Sequence, residues 1–399
     1  MLRKRVSVFA CLIAGLFALP NFSAHAADSP LVSRAFSQLA TTPTLADPSV
    51  IVVDEKTGEI VFESNANSPR KPASIIKLVS AAAAYTYLSP SDSYTTSLWT
   101  GIDSKSVVIQ GSLDPWISYD HKVAVKMSRT SLERIEYNAL SAIKEMNSGS
   151  TKDAVIYYSN LYSQDVSHIK RFLSTRDSSI NLQRLTEKKA IAQSAEYILG
   201  STSPTLEKII DWTLVWSDNL LAERIARLAA VGAGNTLDSS GVAKTFKSLF
   251  TEMKIDTKNF VVKDASGLSK QNRITANQVS QLLMVIYHDP KLAPLVEGLP
   301  VGGVSGTLQS RFLDTAPGAV GLVRAKTGTL NGTTNLAGFV ESGNHHYIFV
   351  VIADRHSKSY TVTKKVRATV DRILGKIATP LLPVLLPLTP TSDSVTVTN

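Results

Sequence analysis

Apolar and polar positions follow two different periods along this chain. Ser49-Val50-Ile51-Val52-Val53 and Glu59-Ile60-Val61-Phe62-Glu63 are β-rich runs on either side of Asp54-Glu55-Lys56-Thr57-Gly58, which predicts a hairpin. The small and apolar stretch Leu78-Val79-Ser80-Ala81-Ala82-Ala83-Ala84-Tyr85 follows, and predicts a helix buried on most of its surface and entered at Pro72. From about 94 to 204 the chain turns rich in Ser and Thr, with strand-like Val107-Val108-Ile109 and Ala154-Val155-Ile156-Tyr157-Tyr158 and a helix over 131–146. Helical spacing returns over 205–230, where Ile209, Ile210, Leu214, Leu220, Leu221 and Ile225 are apolar. Residues 334–339 and 347–353 predict strands around Ser342-Gly343-Asn344, followed by a helix over 363–378. Hairpins near both ends with helices between them imply an α+β fold, in which one antiparallel sheet is assembled from distant segments.

The N-terminus changes the compartment. Leu2-Arg3-Lys4-Arg5, an apolar run over 6–20 and the small-x-small site Ala24-His25-Ala26 read as a signal peptide over 1–26, so the mature protein is expected to be extracytoplasmic and without a transmembrane anchor. Cys11, the only cysteine, lies inside that leader, which leaves the mature chain no disulfide and no thiolate metal site. Removing three cations with the leader lowers the formal charge from +9 to about +6. The charge is dispersed, with no Lys/Arg block to track a phosphate backbone, which argues against a nucleic-acid partner. The seven histidines show no metal-ligand spacing, and His345-His346 beside a Gly-Asn turn reads as solvated. The tail over 379–399 is Pro-rich, then polar. A mature chain of about 370 residues can bury more than one core, so residues 95–204 read as a domain inserted into one formed by 27–94 and 205–378.

Candidate chemistry centres on Lys71-Pro72-Ala73-Ser74-Ile75-Ile76-Lys77. On a helical turn, side chains at i and i+3 share a face, and a desolvated lysine can then act as the base that makes Ser74 a nucleophile. The spacing also arises by chance: Ser167-His168-Ile169-Lys170 repeats it amid Asp165, Arg171 and Arg176, which reads as a solvated helix face. Two further blocks raise Ser74 above that background. In Ser217-Asp218-Asn219 a second hydroxyl can relay a proton and an Asn amide can bind a substrate carbonyl, although the same three residues also suit a helix cap. In Lys326-Thr327-Gly328-Thr329, entered from strand-like Gly321-Leu322-Val323-Arg324-Ala325, Gly328 permits close approach. The Thr329 N–H can face an oxyanion, and Lys326 and Thr327 can bind an anionic group. Lys56-Thr57-Gly58 precedes the nucleophile and reads as turn chemistry.

Ser74-x-x-Lys77, Ser217-Asp218-Asn219 and Lys326-Thr327-Gly328, in that order, resemble the motif set of the penicillin-recognising serine DD-peptidases. The span of 143 residues from Ser74 to Ser217, and of 109 from Ser217 to Lys326, is similar to that of the class C low-molecular-mass penicillin-binding proteins, which carry an insertion between the first two blocks. Gly111-Ser112-Leu113-Asp114-Pro115, Asp264-Ala265-Ser266-Gly267-Leu268-Ser269 and the segment over 299–308 also resemble that family, with Leu113 and Ala265 each standing where it has glycine and an insertion that is short. The resemblance implies a penicillin-binding-protein/β-lactamase-like domain, its antiparallel sheet flanked by helices, with a smaller α/β domain inserted. It implies a serine-type D-Ala-D-Ala carboxypeptidase of the periplasm or cell envelope that acts on peptidoglycan stem peptides, with DD-endopeptidase activity on cross-links as an extension, and that β-lactams acylate. Ser74, Lys77, Ser217 and Asn219 would be catalytic and Lys326, Thr327, Gly328 and Thr329 substrate-binding, with no metal or cofactor. Two alternatives stay open: a β-lactamase, and a non-catalytic wall-binding or β-lactam-sensing protein of the same fold. Class A β-lactamases place a glutamate in a Glu-x-x-x-Asn loop after their second block, and the corresponding stretch 231–250 has no glutamate.

Overall fold

The computed structural model describes residues 28–380; the leader over 1–26 and all of the tail beyond Pro380 lie outside the described residues. Ten strands are present among them: β1 Ser49–Asp54, β2 Ile60–Ser64, β3 Thr95–Gly101, β4 Ser106–Gly111, β5 Val155–Ser159, β6 Asn181–Arg184, β7 Ser194–Thr202, β8 Val323–Leu330, β9 Thr333–Ser342 and β10 His345–Ala353. The helices are α1 Ser29–Ala40, α2 Lys77–Tyr87, α3 His121–Met127, α4 Leu132–Met146, α5 Ser163–Arg176, α6 Glu187–Gln193, α7 Leu206–Trp216, α8 Asn219–Gly232, α9 Ser239–Glu252, α10 Ala276–His288, α11 Pro294–Glu297 and α12 Tyr360–Ile377.

The first sheet runs β2-β1-β10-β9-β8, antiparallel throughout, and joins the two ends of the chain. Because strand side chains alternate between faces, β1 feeds two cores at once. Ile51 and Val53 pack with Ile348, Val350 and Ile352 under α2, α8, α9 and α10, while Val50 and Val52 pack with Phe349 and Val351 under α1 and α12. Burial on both faces explains why β1 reads as an unbroken apolar run. In α2 every residue from Lys77 to Tyr85 is buried, and its four alanines give α8 room to lie close.

Residues between Thr95 and Thr202 build a second sheet, ordered β6-β5-β4-β3-β7, in which β4, β5 and β6 are parallel and β3 pairs antiparallel with β4 and β7. It has its own core, in which Leu98, Val107 and Ile109 meet Leu132, Ile135 and Ile143 of α4 and Ile169 and Leu173 of α5. At its neck Tyr94 N donates to Ser203 Oγ at 2.9 Å and Ser203 N to Tyr94 O at 2.8 Å. Fully buried Arg224 of α8 reaches across, donating to the carbonyls of Pro115 and Ile117 at 3.2 Å each and pairing with Asp165.

Three expectations change and one helix is added. The helical stretch 205–230 is two helices, because Ser217 takes a left-handed φ of 59° that ends α7, and the Asp218 carboxylate, accepting from Leu221 N at 3.1 Å, starts α8. Asp165 is not on a solvated face but buried against Arg224. His345 and His346 are half-buried at the start of β10, bonded to Asp54 at 3.0 Å and to Tyr287 at 3.2 Å. Finally, α1 was not anticipated, although Val32, Ala35, Phe36 and Leu39 make a helical stripe that packs on α12 and the sheet.

Candidate active site

The nucleophile's turn is held before it begins. Asn335 of β9 donates to the carbonyls of Lys71 and Pro72 at 2.9 and 2.8 Å, and buried Arg70 pairs with Asp354 at 3.3 Å. Ala73 is held at a φ of 48°, a left-handed backbone that non-glycine residues rarely adopt. Residues Ala73–Ile76 then form a 3-10 turn that runs into α2 rather than a first turn of α-helix. A 3-10 turn eclipses positions i and i+3, so Lys77 Nζ lies over Ser74 Oγ at 2.9 Å.

Lys77 is fully buried, and its Nζ also meets Asn219 Oδ1 at 2.8 Å and the Ser266 carbonyl at 2.5 Å. Burial pushes its pKa down to about 8, against the opposing charges of Asp218, Asp264 and Glu223. An amine poised there can take the Ser74 proton. Asn219 spends its carboxamide oxygen on Lys77, leaving its N–H groups for the cleft. Ser217, half-buried at the break between α7 and α8, lines the same cleft.

The Ser266 carbonyl is positioned by main-chain ties. Glu223 accepts from the N–H groups of Ala265 and Ser266 at 2.9 Å each, Ser80 Oγ donates to Ala265 O at 2.9 Å, and Asp264 accepts from Gly267 N at 2.8 Å. Gly267, at a φ of 88°, packs against the Ala73 carbonyl so closely that any Cβ would collide with it.

Opposite stands β8, the edge of the first sheet. Gly302 N donates to Val323 O at 2.8 Å and Ala325 N to Pro300 O at 3.0 Å, so the odd-numbered residues turn their backbone groups away from β9. Past Ala325 that outer side has no strand partner among the described residues, and the N–H and C=O groups of Thr327 and Thr329 face the cleft. Gly328 allows this approach, since a Cβ there would meet the Pro72 carbonyl at 2.8 Å. Lys326 is fully buried on the Lys77 side of β8, donating to Thr327 O at 3.1 Å; burial and the neighbouring Lys77 charge hold its pKa well below the usual value. The resulting cleft has a volume of ≈ 410 Å³.

A serine at the mouth of a buried central helix, with a lysine as its base and facing a sheet edge that can pair with an extended peptide, is the arrangement of a serine hydrolase that works through an acyl-enzyme. Comparison with known proteins makes the assignment specific. The D-Ala-D-Ala carboxypeptidase 3 (S13) family matches residues 32–144 and 169–377, and the chain belongs to it, as a class C low-molecular-mass penicillin-binding protein and serine-type D-Ala-D-Ala carboxypeptidase. Carboxypeptidase DacB of Mycolicibacterium smegmatis is 27% identical over 360 residues, 78% of each chain. Penicillin binding protein 4 (dacB) of Haemophilus influenzae has the same fold, with a TM-score of 0.63 at 18% identity over 85% of this chain and 98% of that one. A predatory peptidoglycan endopeptidase from Bdellovibrio bacteriovorus gives 0.57 at 16% identity over 83% and 93%.

Of the residues singled out in the sequence, Ser74, Lys77 and Asn219 bond through one amine, Ser217, Thr327 and Thr329 line the cleft, and Lys326 and Gly328 back it. Three contributors were not foreseen: the Ser266 carbonyl, Thr307, which accepts from Thr327 Oγ1 at 3.0 Å, and Arg367, which donates to Thr329 Oγ1 at 3.1 Å. The Asp264–Ser269 segment signalled the first only through family likeness. Arg367 carries no local signal on an amphipathic helix.

Proposed function

We propose that this protein trims peptidoglycan stem peptides outside the cytoplasm, with Ser74 as nucleophile and Lys77 as its base. Ser74 Oγ attacks the carbonyl between the two D-alanines as its proton passes to Lys77 Nζ. The proton returns through Ser217 Oγ to the departing amine, the C–N bond breaks, and the peptide is left as an ester on Ser74. Asn219 orients Lys77 and the substrate amide, and the N–H groups of Ser74 and Thr329 receive the oxyanion, where one lost donor typically costs about 10²–10³ in rate. Lys326 and Thr327 serve the terminal carboxylate, and water then frees the acyl group. The observation that carries this reading is the buried Lys77 amine, 2.9 Å from Ser74 Oγ with its pKa lowered to about 8. Residues 95–204 are taken as an inserted domain, supported by their separate core and the Tyr94–Ser203 neck. Cross-links offer the same bond with a carboxylate beside the leaving nitrogen, so endopeptidase activity follows from the same site.

β-Lactams should acylate Ser74 and stay attached. The region over 231–250 offers no glutamate to activate water, and one oxygen of Glu223 is already committed to two main-chain N–H groups. The opened ring stays tethered where the departing D-alanine would have made way for water. With one equivalent of benzylpenicillin, intact mass followed over time should show an adduct lasting minutes or longer while a D-Ala-D-Ala peptide turns over. Complete release within seconds would establish the β-lactamase reading instead, and a stable adduct with no peptide turnover the sensor reading.

A further inference from the structure

The cleft has a cationic wall that the reaction above leaves unused. Its lining includes Arg311 and Arg367 and, among the described residues, no acidic side chain. The two arginines differ. Arg311 pairs with Asp371 and also donates to the Arg367 carbonyl at 3.3 Å, so its charge is answered. Arg367 is partly buried on α12, has no carboxylate within ion-pair distance among the described residues, and makes one side-chain hydrogen bond, to Thr329 Oγ1 at 3.1 Å. Asp371, paired with Arg311, favours the Arg367 charge only from a distance, so burial and the Arg311 charge leave this half-buried guanidinium short of compensation until an anion arrives.

The strand period places that anion. Thr327 and Thr329 share one face of β8, where their hydroxyls meet Thr307 and Arg367; Lys326 and Gly328 point to the other face, towards Lys77 and Pro72. The carbonyl under attack sits above the edge between these faces. We propose that Arg367 is a specificity-determining residue for the D-Ala-D-Ala reaction. With the Thr327 and Thr329 hydroxyls it grips the substrate's terminal carboxylate from the α12 side, opposite the buried Lys326. A planar guanidinium can offer two parallel N–H groups to a carboxylate, which Lys326, already spending a hydrogen on Thr327 O, does not. This inference rests on the peptidase reading.

The test compares a peptide ending in D-Ala-D-Ala with its C-terminal amide, as kcat/KM on the full-length mature protein. Arg367→Gln should lower kcat/KM for the free acid about 10- to 100-fold, the range for a hydrogen bond to a charged group, and for the amide less than about threefold. Arg367→Met, which keeps the volume of the stem, should collapse the acid-to-amide ratio likewise, and thermal melting identifies which variant is folded. In parallel, methyl esterification of benzylpenicillin should slow acylation of the wild type more than that of the variant. Equal losses on acid and amide in a folded variant would overturn the inference and reduce Arg367 to a prop for Thr329. A wild type that turns over neither peptide would instead defeat the peptidase reading itself.

Discussion

Of the Ser-x-x-Lys segments in this chain, Ser74–Lys77 and Ser167–Lys170 lie in environments that share nothing but the spacing. Ser74 and Lys77 meet at 2.9 Å at the head of a buried helix, with the amine held by three acceptors. Ser167 and Lys170 sit exposed on α5, where the Ser167 hydroxyl bonds back to the Ser163 carbonyl at 2.8 Å. The two Lys-Thr-Gly segments divide the same way. Lys326-Thr327-Gly328 forms a sheet edge over the cleft, whereas Lys56-Thr57-Gly58 is a turn whose N–H groups are satisfied by Asp54. Spacing makes contact possible, but desolvation is what makes a lysine a base.

The widest separation should come from the serines. Ser74→Ala is expected to lose about 10⁴-fold or more of peptide hydrolysis and all penicillin labelling, and Ser167→Ala to lose neither. Residual covalent label in Ser74→Ala, read by intact mass, would erase the distinction. Next come the lysines of the Lys-Thr-Gly segments. Lys326→Met should lower kcat/KM for a free-carboxylate peptide by about 10²–10³, through loss of a desolvated charge, and an amidated peptide much less; Lys56→Met should leave both within about threefold. Similar losses from both would mean that the cleft edge is not special.

The smallest effect concerns pH. Because the neutral amine of Lys77 is the active form, acylation should rise with pH and level off above about 8. The Asp218 charge raises the Lys77 pKa, so Asp218→Asn should move that limb to lower pH, while asparagine still caps α8. A stopped-flow profile with a chromogenic cephalosporin reads the shift, and movement to higher pH would show that Asp218 acts differently.

The site was legible where its chemistry sits in short blocks, since Ser74-x-x-Lys77, Ser217-Asp218-Asn219 and Lys326-Thr327-Gly328 each carry their spacing in the local chain. The first sheet was legible because β1 and β10 are long apolar runs. The second sheet was less so, as β3 and β7 are Ser/Thr-rich and only half-alternating. The Ser266 carbonyl was invisible because any residue has one, and only Glu223 and Ser80 fix where it points. Leu113 shows a related limit: it stands where the family has glycine, and its φ of 60° is the conformation that glycine would adopt without strain.

The pairing of Pro300 and Gly302 with the first half of β8 has a consequence for chain length. A peptide laid antiparallel along the open half, its attacked carbonyl at Thr329, runs downstream towards Ala325, where the next hydrogen-bonding position is already taken by the protein's own backbone. With successive edge groups two residues apart and Thr327 still open between them, the docked chain reaches that obstruction about four residues beyond the one opposite Thr329. It must end there or bend away into solvent. An occupied stretch of sheet edge thus sets how much extended chain can pair with β8 beyond the bond at Thr329.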